Sequence, residues 1–355
     1  MEQDIDALYY NAVDLLKEMI STPSFSREEH NVAEVIISCM RKMGFSPDRK
    51  GNNLWIRSKD FDSSRPTILF NSHMDTVRPV SGWTKDPFFP EEDGDTLYGL
   101  GSNDAGASLV CLLHAFFILT QKKQDYNLIF LASCEEEVSG NGGAEAVVPE
   151  LPQIAFGIVG EPTQMNPAIA EKGLLVLDCT SYGKAGHAAR NEGENAIYKA
   201  IKDIEWFRTY EFPQTSDLLG PVKMTVSMVS AGTQHNVVPD KCDFVVDVRS
   251  NELYSNEELY HIIDKHTDCE VKPRSFRLNS SRISLENPFV QRAIIIGKTP
   301  YGSPTLSDQT FMPFPTLKMG PGDSARSHTA NEYIHLSEIR EAIELYVKLL
   351  DGLRV

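Results

Sequence analysis

The stretch TILFNSHMD, residues 67–75, starts as an apolar run and ends in a histidine and an aspartate. Two later stretches repeat this pattern, NLIFLASCEEE at 127–137 and AFGIVGEPT at 155–163. Segments with the apolar spacing of helices separate them, at 105–120 and near 141–148. A β-α-β rhythm with solidly apolar strands is typical of a parallel sheet that helices cover on both faces. We therefore expect an α/β fold in which these strands end at one edge of the sheet.

The pattern changes after about Gly173. From there onward the predicted elements follow the order β-α-β-β-α-β, which is the order of a ferredoxin-like unit. Their strands alternate apolar and polar residues, as in a sheet with one exposed face. A helix, the short strand PTLKMG and a C-terminal helix then return to the first pattern. The sequence thus predicts a discontinuous α/β domain, 1–172 and 284–355, with an α+β domain, 173–283, inserted in it.

Composition limits the partners and the location of the chain. Its 355 residues suggest about two domains. Acidic residues outnumber basic ones by 50 to 34, and the formal charge of −16 argues against nucleic acid or an anionic membrane as a partner. The cysteines form no CxxC pair, and the longest apolar run, Leu109–Leu119, is too short to cross a bilayer. Because MEQDIDALYY lacks the pattern of a signal peptide, we expect a soluble, cytoplasmic protein.

Residues with acid-base or ligand chemistry follow the strands directly. His73 and Asp75 follow the first, the glutamates 135–137 the second and Glu161 the third, while Asp104 in GLGSNDAG precedes the predicted helix at the same edge. So many carboxylates in one place repel one another unless cations compensate them. Imidazole and carboxylate without thiolate suit Zn²⁺, Co²⁺ or Mn²⁺ in a catalytic site. The sequence therefore predicts a metal site at this edge.

Each of these residues also has a simpler interpretation. The glutamates could form a solvated face, a single histidine is more often a surface or core residue, and Asp104 could cap a helix. Their joint occurrence at strand ends favours the metal site. His73 and Asp75 share a face if the chain is extended there, so Asp75 would accept the second imidazole N–H. Upstream, Ser26 with Glu29 three residues later predicts a helix that Ser26 caps.

Seven stretches match, in order along the chain, the pattern of a known family. They are NSHMDTV (71–77), GWTKDPFFPEEDGDTLYGLGSNDAG (82–106), SCEEEVSGNGGAE (133–145), VGEPT (159–163), GKAGHAAR (183–190), HNVVPDKCDFVVDVR (235–249) and GPGDSARSHTANEY (320–333). As a set they resemble the co-catalytic metallopeptidase family of acetylornithine deacetylase, succinyl-diaminopimelate desuccinylase, aminoacylase, carboxypeptidase G and carnosinase. The resemblance implies a phosphorylase/hydrolase-like mixed, largely parallel sheet with helices on both faces, and an inserted dimerisation and lid domain.

The resemblance also implies a centre of two divalent metal ions, Zn²⁺ with Co²⁺ or Mn²⁺ as alternatives. One ion would be held by His73, Glu161 and Asp104. The other would be held by Glu137, His328 and the same Asp104, whose carboxylate bridges the two.

The resemblance extends to residues beyond the metal ligands. Glu136, in the family's Glu-Glu pair, matches the general base. His187 resembles the histidine that reaches across a dimer to polarise the scissile carbonyl, although GKAGHAA by itself is only a flexible turn with a histidine. Asn236 and Arg249 match positions near the substrate, and Arg249 would grip a substrate carboxylate or pair with an acid on its own sheet. After Asp104 the chain has Ala-Gly-Ala where the family often has Met-Lys-Gly.

The reaction that the resemblance implies is metal-dependent hydrolysis of the amide bond of an N-acyl amino acid. The first expectation for the substrate is N-acetylornithine, or a related N-acyl-ornithine or N-acyl-citrulline, in arginine biosynthesis. A succinyl-diaminopimelate desuccinylase, or a dipeptidase or aminopeptidase on the same scaffold, is the alternative. A non-catalytic binding protein is a third interpretation. The partners would be a small-molecule substrate and a second copy of the chain, which a His187 acting across subunits would require.

Overall fold

The structure, a computed structural model, describes residues 2–190 and 192–355, and their contacts group into two units. Unit 1 runs to Ile169 and includes Arg282–Tyr301 and Ser307–Val355. Unit 2 consists of Ala170–Ser281 and Gly302–Leu306. Compared with the predicted insertion of 173–283, unit 2 starts and ends slightly earlier and takes in the second short segment as well.

The described residues form α-helices and β-strands in the following order along the chain. The α-helices are α1 (Glu2–Ile20), α2 (His30–Lys42), α3 (Ala107–Leu119), α4 (Ala144–Val147), α5 (Ala196–Thr209), α6 (Asn256–His266), α7 (Pro288–Ile295) and α8 (Leu336–Leu350). The strands are β1 (Asp48–Lys50), β2 (Asn53–Arg57), β3 (Thr67–His73), β4 (Glu91–Asp93), β5 (Thr96–Tyr98), β6 (Asn127–Ser133), β7 (Phe156–Val159), β8 (Ala168–Glu171), β9 (Leu175–Tyr182), β10 (Gly186–His187), β11 (Lys223–Ala231), β12 (Val237–Val238), β13 (Lys241–Arg249), β14 (Glu270–Pro273), β15 (Ser281–Arg282), β16 (Tyr301–Ser303), β17 (Thr316–Lys318) and β18 (Tyr333–His335).

The main sheet of unit 1 is mixed and parallel at its centre. Its strand order is β1-β2-β6-β3-β7-β17-β8. β3 runs parallel to both β6 and β7, and β17 runs parallel to β7. β1, β2 and β8 are antiparallel to their neighbours. The expected α/β sheet, mixed and largely parallel, is confirmed.

Both faces of this sheet are buried, which explains why its strands are continuously apolar. Ile68 and Phe70 of β3 belong to the core that β3 shares with α1, α3 and α8. Leu69, between them, belongs to a second core that includes α4. Because successive side chains of a strand point to opposite faces, a strand covered on both sides needs an apolar residue at every position.

Helix α3 lies inside unit 1 and is buried along nearly its whole length. The window Ser102–Leu119 has the length and hydropathy of a membrane-spanning helix, and it is the one such window in the described part of the chain. However, 89% of the window is buried in the protein. A helix that is apolar all round is typical of the core of a large domain as well as of a membrane span, and here its partners are α1, α8 and β3.

Unit 2 contains a four-stranded antiparallel sheet in the order β11-β13-β9-β14. Helices α5 and α6 connect its strands, so the chain order is β-α-β-β-α-β, as the sequence predicts. Buried and partly exposed residues alternate along β9 and β13. Their buried residues, such as Leu177 and Phe244, pack against Phe207 of α5 and Ile263 of α6. This chain order and antiparallel sheet are those of the ferredoxin-like unit that the sequence predicts for the insertion.

Candidate metal centre

Three strands of unit 1 end at the same edge of the sheet. In the register of the parallel pairs, His73 lies opposite Ser133, and Asn71 lies opposite Val159. The residues that follow β3, β6 and β7 are therefore neighbours in space, at the edge where open α/β sheets form ligand-binding crevices. The sequence predicts that His73, the glutamates 135–137 and Glu161 lie at one edge of the sheet, and the structure has this arrangement.

His73 is buried, and its two ring nitrogens face different groups. Nδ1 donates a hydrogen bond to the backbone oxygen of Asp75 at 2.9 Å. Nε2 lies 3.2 Å from Asp104 Oδ1 and 3.8 Å from Glu161 Oε1. Since Nδ1 carries the proton of the neutral ring, Nε2 is the nitrogen that can bind a cation. One imidazole and two carboxylates thus surround a single position.

Asp104 also faces a second position. His328 Nε2 lies 2.9 Å from Glu137 Oε2 and 3.6 Å from Asp104 Oδ2. One oxygen of Asp104 is therefore directed to His73 and the other to His328. The possible ligand atoms of His73, Asp104 and Glu137 all lie within 4.8 Å of one another. A carboxylate that faces two imidazole–carboxylate pairs is suited to bridge two divalent cations.

The interpretation of Asp104 as a helix cap is wrong. Helix α3 begins at Ala107, and no side chain caps its first turn. Asp104 stands three residues earlier in non-helical backbone, and its oxygens face histidines instead of helix N–H groups.

The carboxylate of Asp75 binds the turn formed by the glutamates 135–137, here called the acidic turn, more closely than it contacts the imidazole of His73. Its buried carboxylate accepts the backbone N–H of Glu136 at 3.1 Å, the backbone N–H of Glu137 at 3.2 Å and the hydroxyl of Ser26 at 2.7 Å. The expected hydrogen bond to the imidazole is made by the backbone oxygen of Asp75, and the carboxylate lies 3.5 Å away. Ser26 does not cap a helix, because α2 begins at His30 and the Ser26 hydroxyl is committed to Asp75.

The three consecutive glutamates have three different environments. Glu135 has a left-handed backbone, with φ of 57°, and its carboxylate lies against Gly140 and Gly142, where a Cβ atom would collide with it. Glu137 contacts His328. Burial raises the pKa of Glu136 well above its usual value, His73 opposes this shift, and the charge of Glu161 adds to it. A half-buried carboxyl whose pKa is raised, and which lies near enough to His73 and Glu161 to be affected by their charges, has the properties of a general base.

Two acids near the site, Glu332 and Asp308, were not predicted from the sequence. Glu332 is buried and accepts backbone N–H groups from Gly101, Asn103 and Asp104. Burial and the charge of Asp104 raise the pKa of Glu332 to about 8, and these hydrogen bonds oppose the shift. Asp308 accepts the hydroxyl of Ser133, the last residue of β6, at 2.5 Å. Glu332 stands in the stretch GPGDSARSHTANEY, four residues after His328, and its place so close to a proposed ligand is the signal from which it could have been predicted.

In unit 2, His187 and Asn236 lie on a short ribbon. His187 of β10 pairs with Val237 of β12, and the backbone oxygen of Asn236 accepts the N–H of Ala188. His187 is exposed, and its Nδ1 accepts the backbone N–H of Ala189 at 3.1 Å. The neutral ring then carries its proton on Nε2, which is directed away from this contact and can donate.

Arg249 makes the salt bridge that the sequence left open as an alternative. Its Nε lies 2.8 Å from Asp247 Oδ1, and its Nη2 lies 3.0 Å from Asp247 Oδ2. A two-pronged pair of this kind uses the same donors that a substrate carboxylate would use.

Metal uptake near pH 7 should release protons. Burial and the charge of Asp104 raise the pKa of Glu161 to about 8, against the effect of His73. The hydrogen bond with Glu137 raises the pKa of His328 to about 9. With pKa values of about 8 and about 9, both groups are expected to hold a proton at pH 7, and a cation that they bound would displace it. We expect affinity to rise as the pH increases from 7 toward 9.

Titration calorimetry measures this release. Zn²⁺ is titrated into the metal-free protein at pH 7 in two buffers with different heats of ionisation. The apparent enthalpy of binding should differ between the buffers by an amount proportional to the protons released. Equal enthalpies in both buffers would contradict the prediction.

The chain is similar to known proteins both in sequence and in structure. Residues 69–352 match the peptidase family M20/M25/M40. A succinyl-diaminopimelate desuccinylase of Dechloromonas aromatica is 29% identical over 73% of this chain and 74% of its own length. An acetylornithine deacetylase of Proteus mirabilis is 26% identical over 96% of both chains. The structure of the Bacillus subtilis YXEP protein, described as a dinuclear metal-binding peptidase of the M20 family, has a TM-score of 0.73 at 15% identity and covers 98% of this chain and 100% of its own.

Proposed function

The chain belongs to the M20/M25/M40 peptidase family, and we propose that it hydrolyses the amide bond of an N-acyl amino acid, with N-acetylornithine as the first candidate. Members of this family are metal-dependent amide hydrolases, so the chain is a hydrolytic enzyme, and the interpretation as a non-catalytic binding protein is wrong. The resemblance that the sequence motifs indicated is confirmed by the family match.

The observation that carries this proposal is the position of Asp104 between two imidazole–carboxylate pairs. We assign one cation to His73, Glu161 and Asp104, and the other to Glu137, His328 and Asp104. The donor set fits this assignment, because imidazole and carboxylate without thiolate suit Zn²⁺, Co²⁺ or Mn²⁺ in catalytic sites. Divalent cations bound there would polarise the amide carbonyl and stabilise the negative charge that develops on it.

The residues around this position supply the proton chemistry. Glu136 accepts a proton from the attacking water and delivers it to the amine that leaves. Asp75 holds the backbone of Glu136 and Glu137 and so fixes the direction in which both carboxylates point. Asp75 thus acts on catalysis by positioning other groups, through hydrogen bonds that its buried carboxylate makes with the acidic turn.

His187 is the proposed donor to the oxygen of the scissile amide. Its Nδ1 accepts the N–H of Ala189, so Nε2 carries the proton and is free to donate to a developing oxyanion. In the proposed dimer, this histidine would come from the neighbouring subunit.

The surface of unit 2 offers apolar residues for such a dimer. β11 is the outer strand of its sheet and exposes Met228 (64%) and Val229 (59%). The adjoining helix α5 exposes Tyr198 (73%) and Ile201 (55%). Apolar side chains on an outer strand and its neighbouring helix suit contact with a second copy of the chain. Size-exclusion chromatography with light scattering should give twice the monomer mass, and a monomer mass would contradict the dimer.

Replacing His187 by alanine should lower kcat by about 10²–10³-fold, the usual effect of removing one oxyanion donor. The metal content should not change, because His187 lies on the β10–β12 ribbon of unit 2 and the proposed ligands all belong to unit 1. His261→Ala, an exposed histidine on α6 of the same unit, is the matched control and should leave kcat unaltered. A His187→Ala enzyme with the kcat of the unaltered protein would contradict the role across subunits.

The identity of the substrate is tested by a panel. N-acetyl-L-ornithine, N-succinyl-LL-diaminopimelate and a set of dipeptides and tripeptides are compared by kcat/KM. The highest value for N-acetyl-L-ornithine would support a role in arginine biosynthesis. The highest value for the succinyl substrate would support the alternative, which the relative from Dechloromonas aromatica favours. Highest activity on peptides would favour the dipeptidase or aminopeptidase alternative.

Asn236 and Arg249 are proposed to contact the substrate. Arg249 would exchange Asp247 for the substrate carboxylate, since its two donors are engaged by that neighbour. Arg249→Lys keeps the charge but loses the two-pronged geometry. The expected effect is therefore on KM for substrates that carry a free carboxylate.

A further inference from the structure

The segment 101–104, which carries Asp104, is held by a single buried carboxylate. Glu332 is 2% exposed, and its Oε1 accepts the backbone N–H of Asn103 at 2.8 Å and of Asp104 at 2.9 Å. Its Oε2 accepts the backbone N–H of Gly101 at 3.0 Å. Three donors converge on one side chain, and only a group that accepts at both of its oxygens can serve them all.

The same segment is connected to the loop that carries His328. The side-chain nitrogen of Asn103 donates to the backbone oxygen of Asp323 and to the hydroxyl of Ser327, each at 3.1 Å. Its side-chain oxygen accepts the N–H of Asp323 at 3.1 Å. Ser327 directly precedes His328. The segment 101–104, whose backbone Glu332 binds, therefore also holds the loop of His328 through the side chain of Asn103.

We propose that Glu332 is a positioning residue that orients Asp104 so that its two oxygens address two cations at once. The inference rests on the proposed metal centre. Asp104 Oδ1 lies 3.2 Å from His73 Nε2, and Oδ2 lies 3.6 Å from His328 Nε2. A turn of the Asp104 backbone would move one oxygen out of reach of its partner. The hydrogen bond of Glu332 goes to the backbone N–H of Asp104 and not to its carboxylate, so Glu332 orients Asp104 through the backbone.

Variants of Glu332 separate orientation from general stability. Glu332→Gln keeps the shape and one oxygen, but its amide nitrogen then meets the N–H of Gly101 or of the other two donors. Glu332→Ala leaves all three N–H groups without an acceptor. Removing partners that orient metal ligands typically costs 10–100-fold in metal affinity. We expect about a 10-fold loss for Glu332→Gln and about a 100-fold loss for Glu332→Ala.

The matched control is Asn127→Ala. Asn127 is fully buried at the first residue of β6, at the opposite end of that strand from the site. Its side chain donates to the backbone oxygens of Asp62 and Arg65 and accepts the N–H of Asp62. The variant thus loses a comparable set of buried hydrogen bonds without touching segment 101–104. It should lower the free energy of unfolding of the metal-free protein but leave the metal affinity unchanged.

The experiment is a titration of the metal-free proteins with Co²⁺, read by visible absorption, with urea unfolding measured in parallel. The proposal is supported if both Glu332 variants lose affinity and change the Co²⁺ spectrum while Asn127→Ala does neither. It is overturned if a folded Glu332→Gln binds Co²⁺ like the unaltered protein, or if Asn127→Ala loses as much affinity as the Glu332 variants. If Glu332→Ala does not fold, Glu332→Gln decides.

The outcome also separates this inference from the proposed function. Two Co²⁺ ions bound without hydrolysis of any substrate in the panel would count against the proposed reaction, while the order of affinities would still decide the role of Glu332. An unaltered protein that binds no Co²⁺ would overturn both.

Discussion

Replacing Glu136 by glutamine should lower kcat by about 10⁴-fold while two metal ions stay bound. Glutamine has the size of glutamate but cannot accept the proton of the attacking water or return it to the leaving amine. The metal content should persist, because Glu136 is not among the proposed ligands, and its backbone N–H, which Asp75 binds, is unchanged. Single-turnover kinetics and metal analysis of the same preparation measure the two effects.

The neighbouring residue provides the control for this substitution. Glu135→Gln makes the same chemical change one position earlier, where the carboxylate lies against Gly140 and Gly142 and not at the cation site. We expect its kcat to stay close to that of the unaltered enzyme. If Glu135→Gln loses as much activity as Glu136→Gln, or if Glu136→Gln remains active, the assignment of the general base is wrong.

Replacing Asp104 by asparagine should remove at least one of the two metal ions and lower kcat by about 10³-fold, equivalent to about 4 kcal/mol of transition-state stabilisation. Asparagine keeps one oxygen and puts an NH₂ group in place of the other. That group would point at the cation position of either His73 or His328, since the two carboxylate oxygens face these two histidines. A bridging ligand with a single acceptor cannot serve two cations.

Metal analysis after dialysis measures this loss. Asp95→Asn is the matched control, because Asp95 is an exposed acid of unit 1 that binds the start of α8 through Ser337. It should retain two metal ions and full activity. Two tightly bound ions in Asp104→Asn would show that Asp104 does not bridge them.

The sequence predicted the parts of the fold that local pattern determines. β3, β6 and β7 were recognisable because a strand buried on both faces is apolar at each position, and their ends located His73 and Glu161. Unit 2 was recognisable because β9 and β13 alternate buried and partly exposed residues. The substrate-binding and catalytic roles of individual residues came from the family resemblance, and they stay predictions.

What the sequence did not predict depends on contacts between distant segments. Glu332 binds the N–H of Asp104 across 228 residues of chain, and no local pattern indicates such a partner. Ser26 has the spacing of a helix cap, yet its hydroxyl binds Asp75, 49 residues away. A hydroxyl can satisfy a helix terminus or a buried carboxylate equally well, so tertiary structure alone decides between them.

The position of β17 in the sheet has a consequence for biosynthesis. β17 lies between β7 and β8, but it follows the whole of unit 2 in the chain. While the protein is being made from its N-terminus, the edge of β7 stays open, with unpaired N–H and C=O groups, until residues 316–318 have emerged. His328 arrives later still. An mRNA truncated within unit 2 would therefore yield a chain with an unpaired edge on β7 and an incomplete metal centre. Such a chain would be prone to aggregate, and chaperones and proteases would have to remove it.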